Sequence, residues 1–395
     1  MAESTNGIDR RRFLHLGAAT TGFALGCGAT DGGVQEAPES PEGMRYRPLG
    51  TTGLEVSEIA FGAHGVDNPP LMAAALEAGI NTIFTSGQYQ DGREEEALAR
   101  AMSTVGVPRD RVVIMTGNPV RPGDTKETIT ADIDASLRRL STDYLDIYCN
   151  AMVSSPEEVV VDVLFEAIDA ARQAGKVRHL AVTGHSGGLQ ECLEAAIDVG
   201  QYQVLSTKYD FVSYPDQDEI LQRGAERGIG AIVFKTNAGN RQREIEDLEA
   251  GGLSFRQATI KWALTNPNVT SVALTMTSFD QIQECVAAVG SRVTRAEVAM
   301  LRRYAVEMYD KYCRFCRTCE ATCPYDVAIA DVMRYAMYFR YYGREKEAMR
   351  LYHEVPRSRS AAVCRGCEGS CDGSCPFGRR VRDGLVEAHG LLSFA

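Results

Sequence analysis

A chain of 395 residues with 44% hydrophobic residues is long enough to bury one large core and a smaller one, which excludes a chain disordered throughout. Its formal net charge of −11, with no basic helix, argues against nucleic acid as a partner. The charge is uneven: residues 295–395 carry 17 Lys/Arg against 13 Asp/Glu, so the remainder holds a net −15.

In chain order, the first element is a leader. Asp9-Arg10-Arg11-Arg12-Phe13-Leu14-His15 resembles the twin-arginine consensus, and residues 13–26 follow as a weakly apolar run. At 14 residues this run falls short of the roughly 20 that span a bilayer. Residues 1–27 therefore read as a twin-arginine signal peptide, which implies export to the periplasm or another extracytoplasmic space. Ala24-Leu25-Gly26-Cys27 is lipobox-like, with Ala where Leu is preferred. Lipidation of Cys27, tethering the protein to a membrane, and simple cleavage nearby both stay open. Residues 28–43, rich in Gly, Pro, Glu and Ser, read as a flexible linker.

From Met44 the pattern becomes regular. A short hairpin over 44–56, with Gly50 and Gly53 at its turns, leads into apolar strands that alternate with amphipathic helices. Strands are expected at 58–61, 80–84, 112–116, 144–148, 179–183, 204–208, 231–234 and 272–274. Helices are expected between them, among others at 71–78, 94–102, 125–140, 156–174 and 279–289. Eight such units predict an α/β fold, a (β/α)8 TIM barrel over 44–294, with its site at the C-terminal strand ends. A doubly wound sheet competes less well, because no Gly-x-Gly-x-x-Gly turn follows an early strand. Cys149, Cys192, Cys285 and the single Trp262 are expected in apolar surroundings.

Residues 295–395 are organised by eight cysteines. Cys313, Cys316, Cys319 and Cys323, followed by Pro324, have the ferredoxin spacing for a [4Fe-4S] cluster; Cys364, Cys367, Cys371 and Cys375, followed by Pro376, are a close variant. A cluster needs four converging thiolates, of which a tight loop readily supplies three. In two-cluster ferredoxins the last cysteine of each run ligates the other cluster. Two [4Fe-4S] clusters with crossed ligation follow: Cys313, Cys316, Cys319 and Cys375 on one, Cys364, Cys367, Cys371 and Cys323 on the other. The expectation is a small helical, ferredoxin-like iron-sulfur module. Zinc suits paired C-x2-C knuckles but not four cysteines in an eleven-residue run ending in Cys-Pro, and disulfides suit such tight spacing poorly.

The wording of the barrel is also recognisable. The stretch from Arg47 to Gly62 is similar to the opening hairpin and first strand of aldo-keto reductases. So are Leu76-Glu77-Ala78-Gly79-Ile80-Asn81, Asp143-Tyr144-Leu145-Asp146-Ile147-Tyr148 and Gly175-Lys176-Val177-Arg178. The whole mature chain resembles the branch of that family with a C-terminal dicluster module. The resemblance implies hydride transfer from NADPH to a carbonyl by a Tyr tuned by Lys, His and Asp. Here Tyr89 alone survives: Phe84, Gly117 and Ala151 stand at the Asp, Lys and His positions. An untuned phenol ionises near pH 10, too high for an effective acid at neutrality.

The resemblance further assigns Thr183, Ser206 and Tyr209 to the nicotinamide, the last by stacking. Gly184 replaces the family's amide, and Thr275 and Thr277 stand where a basic phosphate-binding residue is expected, which argues against NADP(H). Lys235 follows strand seven, where the family often has Lys. His64 and His185, at predicted strand ends, are candidate replacement acids. The resulting reading is an exported iron-sulfur oxidoreductase or electron-transfer protein with a degenerate hydride site, its partner a redox protein or a small-molecule substrate. Two alternatives stay open: an NADPH-dependent aldo/keto reductase with an unusual site, and a non-catalytic binding or assembly protein with structural clusters.

Overall fold

The computed structural model describes residues 43–121, 123–184, 188–212, 217–239, 249 and 252–393. The twin-arginine motif, Cys27, the linker up to residue 42 and His185 lie outside them.

The chain opens with an antiparallel hairpin, β1 (Tyr46–Pro48) and β2 (Glu55–Ser57). Gly50 turns it with φ +56°, and a Cβ there would strike the backbone around Gly228 and Gly230, so only glycine fits. Eight parallel strands follow: β3 (Ile59–Gly62), β4 (Thr82–Phe84), β5 (Val113–Thr116), β6 (Leu145–Asn150), β7 (Val177–Gly184), β8 (Val204–Lys208), β9 (Gly230–Phe234) and β10 (Ser271–Leu274). Each pairs with the next, and β10 pairs with β3 to close the barrel, Val272 opposite Ile59.

Both faces of such a sheet are buried, so side-chain alternation decides which residue meets which core. Ala60, Val113, Met115, Ile147, Cys149, Ala181, Val204, Ile232 and Ala273 fill the interior, closed from the N-terminal end by Leu49 and Val56 of the hairpin. Their neighbours, including Phe61, Ile83, Ile114, Tyr148, Val182, Leu205 and Val233, form the larger core between strands and helices.

The surrounding helices are α1 (Pro69–Glu77), α2 (Arg93–Val105), α3 (Lys126–Leu140), α4 (Asp162–Gln173), α5 (Leu189–Val199), α6 (Gln217–Glu226), α7 (Phe255–Leu264) and α8 (Phe279–Val286). Several start on side-chain caps: Asn68, Ser254 and Ser278 each accept a backbone N–H, and Thr125 forms a capping box with Thr128. Cys149, Cys192 and Cys285 are fully buried.

Beyond the barrel come α9 (Arg295–Glu307), α10 (Ile329–Tyr341), α11 (Glu345–Glu354) and α12 (Val381–Leu392). Six of the eight module cysteines sit on or beside tight three-ten turns at Glu320–Thr322, Ala361–Gly366 and Asp372–Ser374, while Cys313 and Cys316 precede the first of them. The described part of this region contains no strand. Its core, which includes Leu301, Val332, Met333 and Leu385, also takes in Phe211, Ala238, Phe255 and Ala258 from the barrel. The division at residue 294 therefore separates two sequence patterns that share one packed core.

Candidate active site at the barrel mouth and the two cysteine groups

At the C-terminal strand ends the interior alternation presents Phe84, packed with Phe234 against the inner core. Gly117 stands just past β5. A Cβ on it would lie 2.7 Å from the Cys149 nitrogen and closer still to the Cys149 carbonyl oxygen. No side chain fits there, because the strand ends of β5 and β6 press together. Ala151 is buried and its N–H donates to the Asn118 carbonyl at 3.2 Å.

Tyr89 begins a short turn, Tyr89–Gly92, in which Gln90 and Asp91 are left-handed. Its ring meets His64 edge-on, the centroids 4.4 Å apart. Burial pushes its phenol far above the ordinary value; Cys149, Tyr338 and Glu94 push the same way, and Arg344 opposes them. Tyr89 is thus not left alone, but what surrounds it comes mostly from outside the expected positions.

The residues assigned to a nicotinamide divide. Thr183 and Ser206 face each other across β7 and β8, both buried, and neither hydroxyl has a hydrogen-bond partner. Tyr209 does not serve as a stacking platform. The alternation that turns Ser206 and Lys208 inward turns Tyr209 outward, where its ring stacks on Trp262 at 4.9 Å and its hydroxyl donates to Asp218 at 2.5 Å. Gly184 has no room for an amide side chain, since its Cβ would stand 2.7 Å from the Val153 carbonyl. Thr277 is turned to Gln281, to which its N–H donates at 2.8 Å. Two hydroxyls could hold a polar group, but the stacking ring, the amide and the phosphate-binding cation do not fit a dinucleotide held in the family's manner.

The mouth is instead occupied by side chains of the C-terminal region. Lys235 donates to the Tyr338 hydroxyl at 3.1 Å. Burial, reinforced by Arg334 and Arg344, pulls its ammonium well below the usual lysine range. Lys208 lies 3.5 Å from Asp210, both fully enclosed, and 5.1 and 5.6 Å from the ring centres of Tyr312 and Phe315. His64 Nε2 is 3.5 Å from Glu347, which in turn is 3.9 Å from Arg344. Sequence reasoning missed Lys208, Asp210, Tyr338, Arg344 and Glu347. The only hint was the aromatic crowding of 335–342, Tyr-Ala-Met-Tyr-Phe-Arg-Tyr-Tyr, heavier than one helix face needs.

The eight module cysteines fall into two groups. Cys313, Cys316, Cys319 and Cys375 line one cavity with Pro376, Tyr312 and Phe315. Burial raises the Cys319 thiol first of all, and its neighbours Cys313, Cys316 and Cys375 add to the rise. In the other group burial, followed by Cys323, Cys371 and Cys367, pushes Cys364 up to about 11. Each group draws its fourth cysteine from the other run. The Val327 and Gly369 N–H groups donate to the sulfurs of Cys323 and Cys367 at 3.5 and 3.4 Å, and the Thr318 hydroxyl to that of Cys316 at 3.3 Å. All eight thiols are free. Among the described residues no three His, Cys, Asp or Glu side chains are arranged to hold a single metal ion. The donor set suits a thiolate-held cluster: four cysteines line one cavity, the other four lie close enough to perturb Cys364, N–H donors reach the sulfurs of Cys323 and Cys367, and a bound metal would remove the protons that burial holds on Cys313, Cys319, Cys364 and Cys371.

Comparison with known proteins bears on the barrel. Residues 66–247 match the family described as Aldo/keto reductase family. A versiconal hemiacetal acetate reductase from Aspergillus parasiticus is 24% identical over 333 residues, covering 65% of this chain and 96% of that protein. An L-galactose dehydrogenase from Arabidopsis thaliana is 25% identical over 284 residues, covering 62% and 88%. The solved structure of the aldo-keto reductase AKR11C1 from Bacillus halodurans, in its holo form, superposes with a TM-score of 0.54 at 22% identity, over 66% of this chain and 96% of that one. With its eight parallel strands and opening hairpin, the barrel of this chain is similar to aldo/keto reductases in sequence over residues 66–247 and in fold.

Proposed function

We propose that this protein is an exported iron-sulfur oxidoreductase, an aldo/keto reductase barrel joined to a module that holds two [4Fe-4S] clusters, working without an ordinary NADPH hydride site. The observation that carries this reading is the sorting of the eight cysteines into two groups of four, each completed by the last cysteine of the other run. Cys313, Cys316, Cys319 and Cys375 would hold one cluster and Cys364, Cys367, Cys371 and Cys323 the other. When bound, such clusters supply one-electron transfer. The barrel's own residues would bind and orient a small substrate or meet a redox partner. The leader at Arg10 and Arg11 would take the folded protein out of the cytoplasm, and acylation of Cys27 would leave it on a membrane face.

The test is an iron count with an electron paramagnetic resonance spectrum on protein purified without air. About eight irons per chain with reversible reduction are expected; about four irons, or tightly held zinc, would overturn the two-cluster assignment.

A second reading, an NADPH-dependent reductase with an unusual site, has the unpartnered hydroxyls of Thr183 and Ser206 in its favour. Fluorescence titration with NADPH separates the two: the first reading expects no saturable binding in the micromolar range.

A further inference from the structure

Three cations gather around the ring of Tyr338. Lys235 Nζ lies 4.9 Å from the ring centre and 3.1 Å from the hydroxyl. The Arg344 guanidinium lies 5.8 Å from the same centre. Arg334, four residues before Tyr338 on α10, shares its helix face. Their compensation is incomplete. Arg334 reaches Asp331 through Nη2 at 2.8 Å, but the residue is 7% exposed and its Nε and Nη1 have no hydrogen-bond partner. Arg344 is 3.9 Å from Glu347, which also lies 3.5 Å from His64. Lys208, a further cation that acts on Lys235, is 3.5 Å from Asp210. Among the described residues no carboxylate pairs with Lys235. Lys208, Lys235, Arg334 and Arg344 thus face Asp210, Asp331 and Glu347, which leaves one positive charge over. Burial first, then Arg334, Arg344 and Lys208, work against the Lys235 ammonium, and Glu347 opposes them. Enclosing a cation without its counter-charge and leaving guanidinium N–H groups unpaired are both costly, and an anion set among the three would offset both costs.

The place is open to a small ligand. Phe84 and Phe234 at the inner strand ends, and Lys235 itself, are only partly buried, and Gly117 and Ala151 put no long side chain across the mouth. We infer that Lys235, Arg334 and Arg344 form an anion subsite at the barrel mouth, which holds the carboxylate of a small organic acid whose apolar part lies against Phe84 and Phe234. A carboxylate carries one charge and matches the one left over; a phosphate dianion exceeds it. The subsite joins two parts of the chain, since Lys235 follows β9 while both arginines belong to the C-terminal region. This rests on the proposed function in taking the barrel mouth as the place where a small substrate binds.

The experiment is isothermal titration calorimetry on the full chain purified without air, with benzoate as the probe, benzamide as its neutral counterpart and inorganic phosphate as the competing anion. Benzoate should bind saturably and benzamide about tenfold more weakly or worse, the worth of one charged hydrogen bond. Lys235→Met should weaken benzoate by a similar factor, and Lys235→Arg, which keeps the charge, should retain most of the affinity. Arg344→Met, at a side chain a quarter exposed, serves as a second variant should Lys235→Met misfold, with the same loss expected. No benzoate binding, equal affinity for benzoate and benzamide, an affinity unchanged in the methionine variants, or phosphate bound more tightly than benzoate would overturn the proposal. The result is separable from the cluster assignment: an iron count of about four would sink the two clusters and leave benzoate binding standing, and about eight irons without benzoate binding would do the reverse.

Discussion

At position 117, where the family resemblance expects a lysine, the glycine reflects more than a change of side chain. Where the Gly117 backbone runs against Cys149, even a methyl group collides with the facing strand end, and overpacking of this kind typically costs about 1–3 kcal/mol. Gly117→Ala should lower stability by that amount in a urea unfolding series; a change within about 0.5 kcal/mol, as for an ordinary surface site, would show that the strand ends yield. The same contact bears on restoring hydride chemistry. Phe84→Asp and Ala151→His alter side chains only, whereas Gly117→Lys must also move β5 from β6. The triple variant should therefore show NADPH oxidation with aldehydes or quinones no higher than background. The wild type should be near background as well, since a positioned, tuned acid is worth about 10²–10⁴-fold.

Among the elements, α2, α3 and β5 are tied together by Glu95. Its carboxylate is completely buried, accepts from the Thr116 hydroxyl at 2.6 Å and pairs with Arg139 at 2.5 Å. Gly87 and Gly92 leave the space in which the Arg139 side chain lies. Removing one partner of a buried pair leaves an uncompensated charge, so Arg139→Ala should cost about 3–5 kcal/mol. Thermal unfolding would check this, and a loss below about 1 kcal/mol would show that water reaches Glu95. At α11 the question is one of pH. Burial alone would raise the Glu347 carboxyl, but the bond to His64 and the charges of His64 and Arg344 prevail and hold it below the ordinary glutamate value. A carboxyl whose value is lower folded than unfolded contributes stability above its unfolded value and loses it as pH falls through the folded one. The acid limb of the stability profile should accordingly be shallower in Glu347→Gln than in the wild type. Identical limbs would mean that the pair does not form in solution.

For the whole molecule, barrel and module stand or fall together. Phe211, Ala238, Phe255 and Ala258 are buried in a core shared with α9, α10 and α12, so a chain ending at residue 294 would expose them to water. Such a truncation should be recovered largely aggregated; a soluble monomer with an unchanged melting temperature would show that the shared core is dispensable. The proposed crossed ligation makes a sharper prediction. Cys375→Ser should disturb the cluster of the first run, the one with Cys313, Cys316 and Cys319, and leave the iron of the second. The reverse pattern would mean that each run holds its own cluster. Replacing Arg10 and Arg11 by Lys should leave the precursor in the cytoplasm with its metal content unchanged, as cell fractionation would reveal.

What the sequence by itself determined was what repeats locally. Eight apolar stretches separated by amphipathic ones gave the strand order and the closed barrel, because side-chain alternation and helical periodicity are written into neighbouring residues. The spacing of Cys313–Cys323 and Cys364–Cys375, each ending in Cys-Pro, is the local pattern on which the expectation of a cluster module rests. Tyr89, Phe84, Gly117 and Ala151 were legible as positions, since they follow their strands at short, countable distances. Only the tertiary structure decided what meets at the barrel mouth. That Tyr209 turns out to Trp262, that Lys208 pairs with Asp210 beneath Tyr312 and Phe315, and that Glu347 reaches His64 across 283 positions of sequence depend on how α10 and α11 settle on the strand ends. Such contacts follow from the packing of complete surfaces, and no local pattern encodes them.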